Sequence, residues 1–203
     1  MFIPKLFQVT DFEEIKGFVE EHSFGSIVTV HNGRPVSTHL PFQFRQFGEE
    51  WYVTGHFAKA NPQWKTIAEQ DALVMIQGPH AYISSSWYTH ENVSTWNYQA
   101  VHLYGKVQLM NNKELEEELD LLMKKYEQHR PNPVLWENLS QETKQQMNAV
   151  VGFKIKVDEI QAAYKLSQNR NSTDYGNIID GLRNECCSDA NQMAALMEKR
   201  REK

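Results

Sequence analysis

The feature that most constrains the fold of this chain is a series of short segments in which apolar and polar residues alternate. Across residues 34–44, the apolar side chains fall on one face of an extended strand, while Ser37 and His39 fall on the other. A tight-turn signal, Asn32-Gly33, precedes this segment. Segments of the same kind give the further predicted strands 24–30, 51–57, 72–77, 80–87, 97–109 and 151–157.

These strands are joined mostly by turns rather than by repeated helical crossovers. Six or more strands at hairpin spacing, interrupted by a few short helices, predict an antiparallel β-barrel with peripheral helices. The same spacing argues against a doubly wound parallel sheet. The chain is therefore expected to be mainly β with some α.

A few helical patterns interrupt the strands. Thr10 to Glu13 has the spacing of a capping box and predicts a helix over 11–22. Asn61-Pro62 puts Asn at the cap and Pro at the first helical position, which predicts a helix to about residue 69. The remaining predicted helices are 112–128, which Asn112 should cap, 140–150, and the segment from Asp174 onward.

These patterns also predict the domain organisation. Residues 1–170 are expected to form one barrel domain that contains the helices 112–128 and 140–150. Residues 171–203 are expected to form a helical extension packed on that domain and to end in a charged tail, Lys199 to Lys203. The acidic run Glu116 to Glu118 is predicted to lie on the solvent side of its helix, as such runs usually do.

Charge and cysteine content restrict the classes of partner. The net charge of −5 over 203 residues argues against a broad basic surface for DNA or anionic lipid, although a local basic groove stays open. The two cysteines, Cys186 and Cys187, are adjacent and form no disulfide framework, which fits a reducing compartment. No segment has the length and apolarity of a membrane helix or a signal peptide. We expect a cytoplasmic protein.

Aromatic residues concentrate between Gly78 and Gly105. This stretch holds four of the eight tyrosines and two of the five tryptophans, Trp87 and Trp96, together with three histidines. Rings that also carry hydrogen-bonding tips suit a site for a flat heterocycle with polar edges. The alternative is an amphipathic barrel wall with ordinary half-buried rings. The histidine spacing matches no common zinc motif, so no metal site is predicted.

Two segments could hold the polar parts of a ligand. Thr54 and His56 share one strand face, and Lys59 follows just before Asn61-Pro62, so a cation would lie next to hydroxyls and free helix N–H groups. Such a set suits a phosphate, although a surface lysine beside a helix cap looks the same. The second segment, Lys165 to Arg170, packs two cations and three hydrogen-bonding side chains into six residues, and a polar linker is the alternative.

No catalytic constellation is identified. The chain has no Gly-x-Ser-x-Gly elbow, no glycine-rich phosphate loop and no helix-turn-helix with a basic recognition helix.

Several longer motifs occur in an order that is typical of one family. They are Thr38-His-Leu-Pro, Gly55-His-Phe-Ala-Lys-Ala-Asn-Pro, Gly78-Pro-His-Ala-Tyr-Ile-Ser, Ser86-Trp-Tyr, Thr95-Trp-Asn-Tyr, Ala100-Val-His and Lys165-Leu-Ser-Gln-Asn-Arg. On these motifs the chain resembles the PaiB-type FMN-binding negative transcriptional regulators. Ser85 and Ser94 depart from the pattern, since members of that family often have proline there.

The resemblance implies a fold and a cofactor. The expected fold is the split β-barrel of pyridoxamine-phosphate oxidases and flavin reductases, an antiparallel Greek-key barrel. The expected assembly is a homodimer with FMN at the subunit interface. The resemblance places the flavin phosphate at Thr54, His56 and Lys59, and the isoalloxazine edge at Ser37, Thr38, His39 and Leu40. Asn61, at the helix start, is a further expected cofactor-binding residue. Further expected contacts are Tyr82, Ser84, Trp87 and Trp96 to the ring, and Lys165, Ser167 and Gln168 at the far edge.

The resemblance also implies a function, with alternatives. The family name implies repression of extracellular-protease and sporulation genes, direct or through small-molecule metabolism, and the negative charge gives direct DNA binding little support. The second hypothesis is an FMN-dependent oxidoreductase that exchanges hydride with a nicotinamide or a small substrate. The third is a binder of another flat cofactor, such as haem, on the same barrel.

Overall fold

The computed structural model describes residues 1–201, so Glu202 and Lys203, the end of the predicted tail, lie outside the described residues. The strands are β1 (Gln8–Val9), β2 (Phe24–His31), β3 (Arg34–Pro41), β4 (Gln43–Phe47), β5 (Glu50–Ala58), β6 (Asp71–Ile83), β7 (Thr95–Leu109) and β8 (Val150–Lys165). The α-helices are α1 (Phe12–Glu21), α2 (Asn112–Glu127), α3 (Gln141–Lys144), α4 (Ser172–Asn184) and α5 (Ser188–Arg201). None of these helices is long and apolar enough to cross a membrane.

The strands form one sheet with the order β3-β2-β6-β7-β8-β5-β4, and β1 pairs with β8. The registers that fix the candidate residues are antiparallel, with Ser26 opposite His39 and Thr54 opposite Lys154. The path is open at β3 and β4, as in a split barrel rather than a closed one. The predicted fold class, an antiparallel split barrel with peripheral helices, is confirmed.

Tight turns join the hairpins where the sequence predicts them. Asn32 and Gly33 have φ angles of 51° and 74°, so both central residues of the β2–β3 turn are left-handed, as a type I′ turn requires. Gly48, with φ of 62°, lies in the turn between β4 and β5. Glycine and asparagine tolerate this backbone conformation better than other residues.

Several predicted strand boundaries are wrong. The predicted strand 34–44 is two strands, because β3 ends at Pro41, which has no N–H to donate to a ladder. The buried Phe42 then donates its backbone N–H to Ser23 O at 2.6 Å and joins β3 to β4. Elsewhere two predicted strands, 72–77 and 80–87, are one, because β6 runs without a break through Gly78-Pro79. The end of the second prediction is also wrong, since residues 85–87 form a 3-10 turn.

The helix predictions are right in place but not in detail. Asp11, not Thr10, caps α1 by accepting from Glu14 N at 2.9 Å. Asn111, not Asn112, caps α2 and forms a capping box with Glu114. Helix α3 is a single turn continued by 3-10 structure over Gln145–Ala149. The predicted helix 61–69 is only the 3-10 turn Pro62–Lys65, although Asn61 does cap it.

The described chain divides into two compact units. Unit 1 comprises residues 1–18, 76–102 and 161–201, and unit 2 comprises residues 19–75 and 103–160. In unit 1, the inner faces of α4 and α5 bury Ile178, Leu182, Met193 and Met197. In unit 2, the inward residues of the alternating strands form the core, namely Ile27, Phe42, Val53, Phe57, Phe153 and Ile155.

Helix α2 is joined to the β4–β5 hairpin of unit 2 by a buried carboxylate. Glu118 is 1% exposed, so the prediction that it faces solvent is wrong, while Glu116 and Glu117 are exposed as predicted. Its Oε2 accepts from Thr54 Oγ1 at 2.7 Å and lies 3.4 Å from Arg45 Nη1, and its Oε1 accepts from Gln43 Nε2 at 2.8 Å.

The protonation of Glu118 reflects this environment. Burial raises its pKa, and the bonds from Thr54, Arg45 and Gln43 partly offset that effect. A buried carboxylate is tolerated only where its oxygens are satisfied in this way, so the four side chains must fold together.

Removal of the Glu118 carboxylate should therefore weaken unit 2. We expect Glu118→Ala to lower the free energy of unfolding by about 3 kcal/mol, because it leaves the Arg45 guanidinium and the Thr54 hydroxyl without their acceptor. Urea denaturation followed by circular dichroism measures the change. The matched control is Glu117→Ala, one residue away and exposed, which should leave the transition midpoint in place. Equal midpoints for the two variants would contradict this role of Glu118.

Candidate functional site

Strand β3 places four candidate residues on two opposite faces. Ser37 and His39 are exposed on the face they share with Val28 and Ser26 of β2. The His39 ring stacks on the exposed Phe24 ring, with centroids 6.4 Å apart and planes 21° apart. Thr38 is half-buried and Leu40 is buried on the other face. A flat ligand lying on one face of β3 could therefore meet the side chains of only one of these pairs.

The inner face of β3 is tied to the loop after β5 by a closed hydrogen-bond network. Thr38 Oγ1 donates to Gln63 Oε1 at 2.6 Å and accepts from Asn61 Nδ2 at 2.9 Å. The Gln63 amide in turn donates to Thr29 Oγ1 at 2.9 Å and to Val36 O at 3.2 Å. The structure thus bonds two predicted residues, Thr38 and Asn61, to each other. Both also bond to Gln63, which the sequence analysis missed. The network holds the loop rigid.

Lys59 lies at the start of this loop with its side chain exposed. Its backbone N–H donates to Ala149 O at 2.8 Å and its carbonyl accepts from Trp64 Nε1 at 2.9 Å, so the main chain is fixed on both sides. The ammonium has one weak contact, to Asn148 O at 3.3 Å, and no carboxylate partner within residues 1–201. A fixed main chain that carries a cation without a counter-ion suits an anionic ligand.

Thr54 and His56 share one face of β5, as predicted. Thr54 is fully buried and its hydroxyl hydrogen is committed to Glu118, so it has no further proton to offer a phosphate. Burial lowers the pKa of His56, which keeps the imidazole neutral at neutral pH. His56 Nδ1 is buried without a hydrogen-bond partner in the described chain. Of this pair, only His56 retains an unused polar atom.

The predicted aromatic residues of unit 1 fall into two places. Trp96 contacts Tyr82 edge-on at 6.0 Å between centroids and donates its Nε1–H to His80 Nδ1 at 3.2 Å. Both rings are exposed, Trp96 by 47% and Tyr82 by 51%. Trp87 lies apart from them against Gly181 of α4, so closely that a Cβ on that glycine would be 2.4 Å from the indole.

The rest of the Trp87 environment is polar and acidic. Trp87 lines an open groove of about 440 Å³ with Asp180 and Glu185, which would repel a phosphate. Ser84 precedes Trp87, and its hydroxyl accepts from Ser86 N at 3.2 Å, which caps the 3-10 turn. These two side chains therefore have evident structural roles.

The segment after β8 is a tightly bonded turn. Ser167 is buried with φ of 59°, and its hydroxyl exchanges hydrogen bonds with the Asn97 amide at 2.9 and 3.1 Å. Gln168 closes the turn by accepting from Leu166 N at 2.7 Å and donating to Tyr164 O at 2.7 Å. Lys165 donates to Thr95 Oγ1 at 2.5 Å. Ser167 and Gln168 hold the turn, whereas the Lys165 charge has no carboxylate partner in residues 1–201.

Comparisons with known proteins identify the family. The model of the family described as "Putative FMN-binding domain" matches residues 1–159. The protease synthase and sporulation protein PAI 2 of Bacillus subtilis (strain 168) is 59% identical over 200 residues, 98% of this chain and 97% of that protein.

Solved structures show a similar fold. The FAD and heme binding protein from Mycobacterium smegmatis has a TM-score of 0.63 at 16% identity, over 86% of this chain and 80% of that one. The flavocytochrome Anf3 from Azotobacter vinelandii has a TM-score of 0.63 at 18% identity, over 84% and 75% of the two chains. At these identities the likeness concerns the fold alone.

The family match covers more than three quarters of the chain, and the Bacillus relative aligns over nearly its whole length. This confirms the family that the sequence motifs indicate. The chain belongs to the FMN-binding domain family that matches residues 1–159.

Proposed function

We propose that this chain binds FMN and uses the flavin in a redox step that affects protease synthesis and sporulation indirectly. The match of residues 1–159 to an FMN-binding family carries the proposal. The 59% identical Bacillus relative is named a protease synthase and sporulation protein, and this name supports an effect of the present chain on the same two processes.

The residues of unit 2 suit the phosphate of FMN. That phosphate carries close to two negative charges, so it needs at least one cation and several donors. Lys59 supplies a cation without a carboxylate partner in the described chain, on a main chain fixed by its bonds to Ala149 and Trp64. Asn61 and Thr38 fix the loop that follows. We assign Lys59 to the phosphate, with Asn61 and Thr38 as positioning residues and His56 offering its free Nδ1.

Other candidate residues suit the ring or support the site. The exposed face of β3, with Ser37 and the stacked His39, offers polar tips beside an aromatic surface. In unit 1, the exposed Trp96 and Tyr82 offer the same combination. Bound FMN would supply hydride or electron transfer, and the protein residues would bind it, orient it and limit its contact with water. We assign to packing and positioning the residues Leu40, Thr54, Ser84, Trp87, Ser167 and Gln168. Lys165, the remaining candidate, we do not assign to the flavin.

The charge of the chain supports an indirect effect on gene expression. The net charge is −5, and DNA binding draws most of its affinity from cations that neutralise phosphates. The last turn of α5 carries the cluster Lys199, Arg200 and Arg201. Arg200 is already paired with Glu14, with 2.5 Å between Nη1 and Oε1, so the free positive charge of this helix is small.

We also propose that the chain forms a homodimer through unit 1. Three large apolar residues of this unit are exposed to solvent, Trp96 by 47%, Tyr82 by 51% and Val93 by 76%, and a partner subunit would cover them. Sedimentation velocity should give twice the mass of the chain, and Trp96→Glu should shift the protein to the monomer. The control Leu121→Glu, at an exposed position of α2, should leave the dimer intact. A monomeric wild type, or a dimer unchanged by Trp96→Glu, would contradict the proposal.

The phosphate assignment predicts a selective loss of affinity. If Lys59 makes a charge-assisted bond to the phosphate, Lys59→Ala should cost about 1.5–3 kcal/mol, which is roughly ten- to a hundredfold in FMN affinity. The affinity for riboflavin, which has no phosphate, should stay unchanged. Quenching of flavin fluorescence during titration of the apoprotein measures both.

Lys65→Ala is the matched control, because Lys65 is another exposed lysine of the same loop. It should bind FMN like the wild type. The assignment of Lys59 to the phosphate would be contradicted if Lys59→Ala retained FMN affinity within a factor of two of wild type. It would also be contradicted if the variant lost as much affinity for riboflavin as for FMN.

The indirect route predicts flavin turnover without DNA recognition. The purified protein should release FMN on denaturation, and reduced nicotinamide should bleach its flavin without oxygen and be oxidised repeatedly in air. Promoter DNA should show no binding tighter than random DNA at physiological salt. A flavin that resists nicotinamide, combined with specific promoter binding, would instead support a direct repressor. A haem absorption band with no released flavin would contradict the assignment of FMN as the cofactor.

A further inference from the structure

A cluster in unit 1 combines two cations with buried donors that have no acceptor in the part of the chain that the structure describes. We call it the Arg170 cluster, and it consists of Tyr88, His90, Thr95, Lys165 and Arg170. The residues come from the link between β6 and β7, from the start of β7, from the end of β8 and from the turn after β8. None of them was predicted as a catalytic residue, and only Lys165 was predicted as a flavin contact.

Arg170 is held in place without a counter-ion among residues 1–201. Its guanidinium carbon lies 4.8 Å from the centroid of the Tyr88 ring, and its buried Nε has no acceptor in the described chain. Two other arginines, by contrast, each have a carboxylate partner. Arg183 Nη2 lies 2.6 Å from Glu198 Oε2, and Arg45 Nη1 lies 3.4 Å from Glu118 Oε2. Guanidinium groups in proteins are ordinarily matched by carboxylates or phosphates, so Arg170 has unused donor capacity.

A second cation, Lys165, feels the charge of the first. Burial and the neighbouring Arg170 charge together lower the pKa of Lys165. The Lys165 ammonium donates to the neutral Thr95 hydroxyl and lies 5.9 Å from the Phe7 ring, and it has no carboxylate partner within residues 1–201. Two like charges that repel each other, with no counter-ion within residues 1–201, are mutually destabilising, and an anion would relieve the repulsion.

Tyr88 adds a neutral donor. The residue is 8% exposed and its hydroxyl has no hydrogen-bond partner in the described chain. A buried hydroxyl without a partner costs free energy, so a ligand acceptor near it would be favoured. The ring fixes Arg170 on its face and lies 6.1 Å from the His90 ring, measured between centroids.

A buried carboxylate beside the cluster, Asp174, is already satisfied. Asp174 is fully buried and accepts from Thr89 N and Thr89 Oγ1, both at 2.8 Å, and from Asn171 Nδ2 at 2.7 Å. Its Oδ2 also lies 3.4 Å from His90 Nδ1, which orients the imidazole. Asp174 therefore secures the link and His90, and it does not neutralise Arg170 or Lys165.

The turn that carries Arg170 and follows Lys165 is rigid before any ligand arrives. Arg170 N donates to Ser167 O at 3.0 Å, and Ser167 is fixed by its bonds to Asn97. Gln168 closes the same turn onto β8. Because little chain entropy remains to be lost, such donors bind more strongly than donors on a mobile loop would.

We propose that the Arg170 cluster binds the phosphate or carboxylate group of a second small molecule, one other than the flavin. Arg170 offers two parallel donors, Lys165 adds charge, and the Tyr88 hydroxyl adds a buried donor. The assignment to a second ligand rests on the proposed function, in which the flavin phosphate lies at Lys59. A flavoprotein that exchanges electrons with a small anionic substrate needs such an anchor in addition to its cofactor site.

The test uses inorganic phosphate as the probe and FMN-saturated full-length protein in a buffer free of other oxyanions. Calorimetric titration should detect phosphate binding to the wild type. Arg170→Ala should lower the phosphate affinity at least tenfold, as loss of a charge-assisted contact requires. Tyr88→Phe keeps the ring under Arg170 and removes only the hydroxyl, so its loss should be smaller. Arg183→Ala, which removes an arginine already paired with Glu198, should bind phosphate like the wild type.

Each variant is also titrated with FMN and riboflavin. Retained FMN affinity in Arg170→Ala shows that the variant is folded and that the flavin phosphate lies elsewhere. A loss of FMN affinity without a loss of riboflavin affinity would place the flavin phosphate at Arg170 and overturn both this assignment and the one at Lys59. Absence of phosphate binding to the wild type, or equal binding by Arg170→Ala and wild type, would overturn the Arg170 cluster alone.

Discussion

Unit 2 depends on the burial of one carboxylate. Glu118 of α2 is removed from water and accepts hydrogen bonds from the β4–β5 hairpin, with Thr54 at 2.7 Å and Gln43 at 2.8 Å. Desolvation of a charge is so unfavourable that these donors and the helix must be in place together. This one interaction fixes the position of α2 on β5. It also commits the Thr54 hydroxyl to a contact within the protein.

The polar groups of the chain divide into those that are satisfied internally and those that are not. The Thr38, Asn61 and Gln63 side chains satisfy one another and fix a loop, and Ser167 and Gln168 do the same for the turn after β8. Lys59 and Arg170 are held by these fixed segments and lack a counter-ion in the described chain. Polar groups that are fully hydrogen-bonded within the protein make their segments rigid. Cations that lack a counter-ion and lie on such rigid segments are the groups to which an anionic ligand can bind.

Much of the fold could be predicted because the β-sheet alternation and the turn chemistry are local. The Asn32-Gly33 turn and the alternating faces of β3, β5 and β7 follow from a few neighbouring residues each. The break at Pro41 and the passage of β6 through Gly78-Pro79 were missed, because they depend on which strands pair across the sheet. The family and its cofactor came from the motifs, and alternation alone could not have supplied them.

The burial of Glu118 illustrates what local patterns miss. Position 118 falls within the apolar stripe of α2, three residues after Leu115 and four before Leu122, so its spacing indicated an inward direction. The acidic run Glu116 to Glu118 suggested solvent instead. Only the donors on β4 and β5, which are distant in sequence, make an inward carboxylate tolerable. Likewise, the missing counter-ion of Arg170 can be recognised only once every neighbouring carboxylate is located.

The most direct test of the central claim is a crystal structure of the protein loaded with FMN. Lys59 Nζ should lie within hydrogen-bonding distance, about 3 Å, of a phosphate oxygen, with the Thr38–Asn61–Gln63 network intact beside it. Lys59 directed into bulk solvent while the flavin phosphate is bound by other residues would contradict the account.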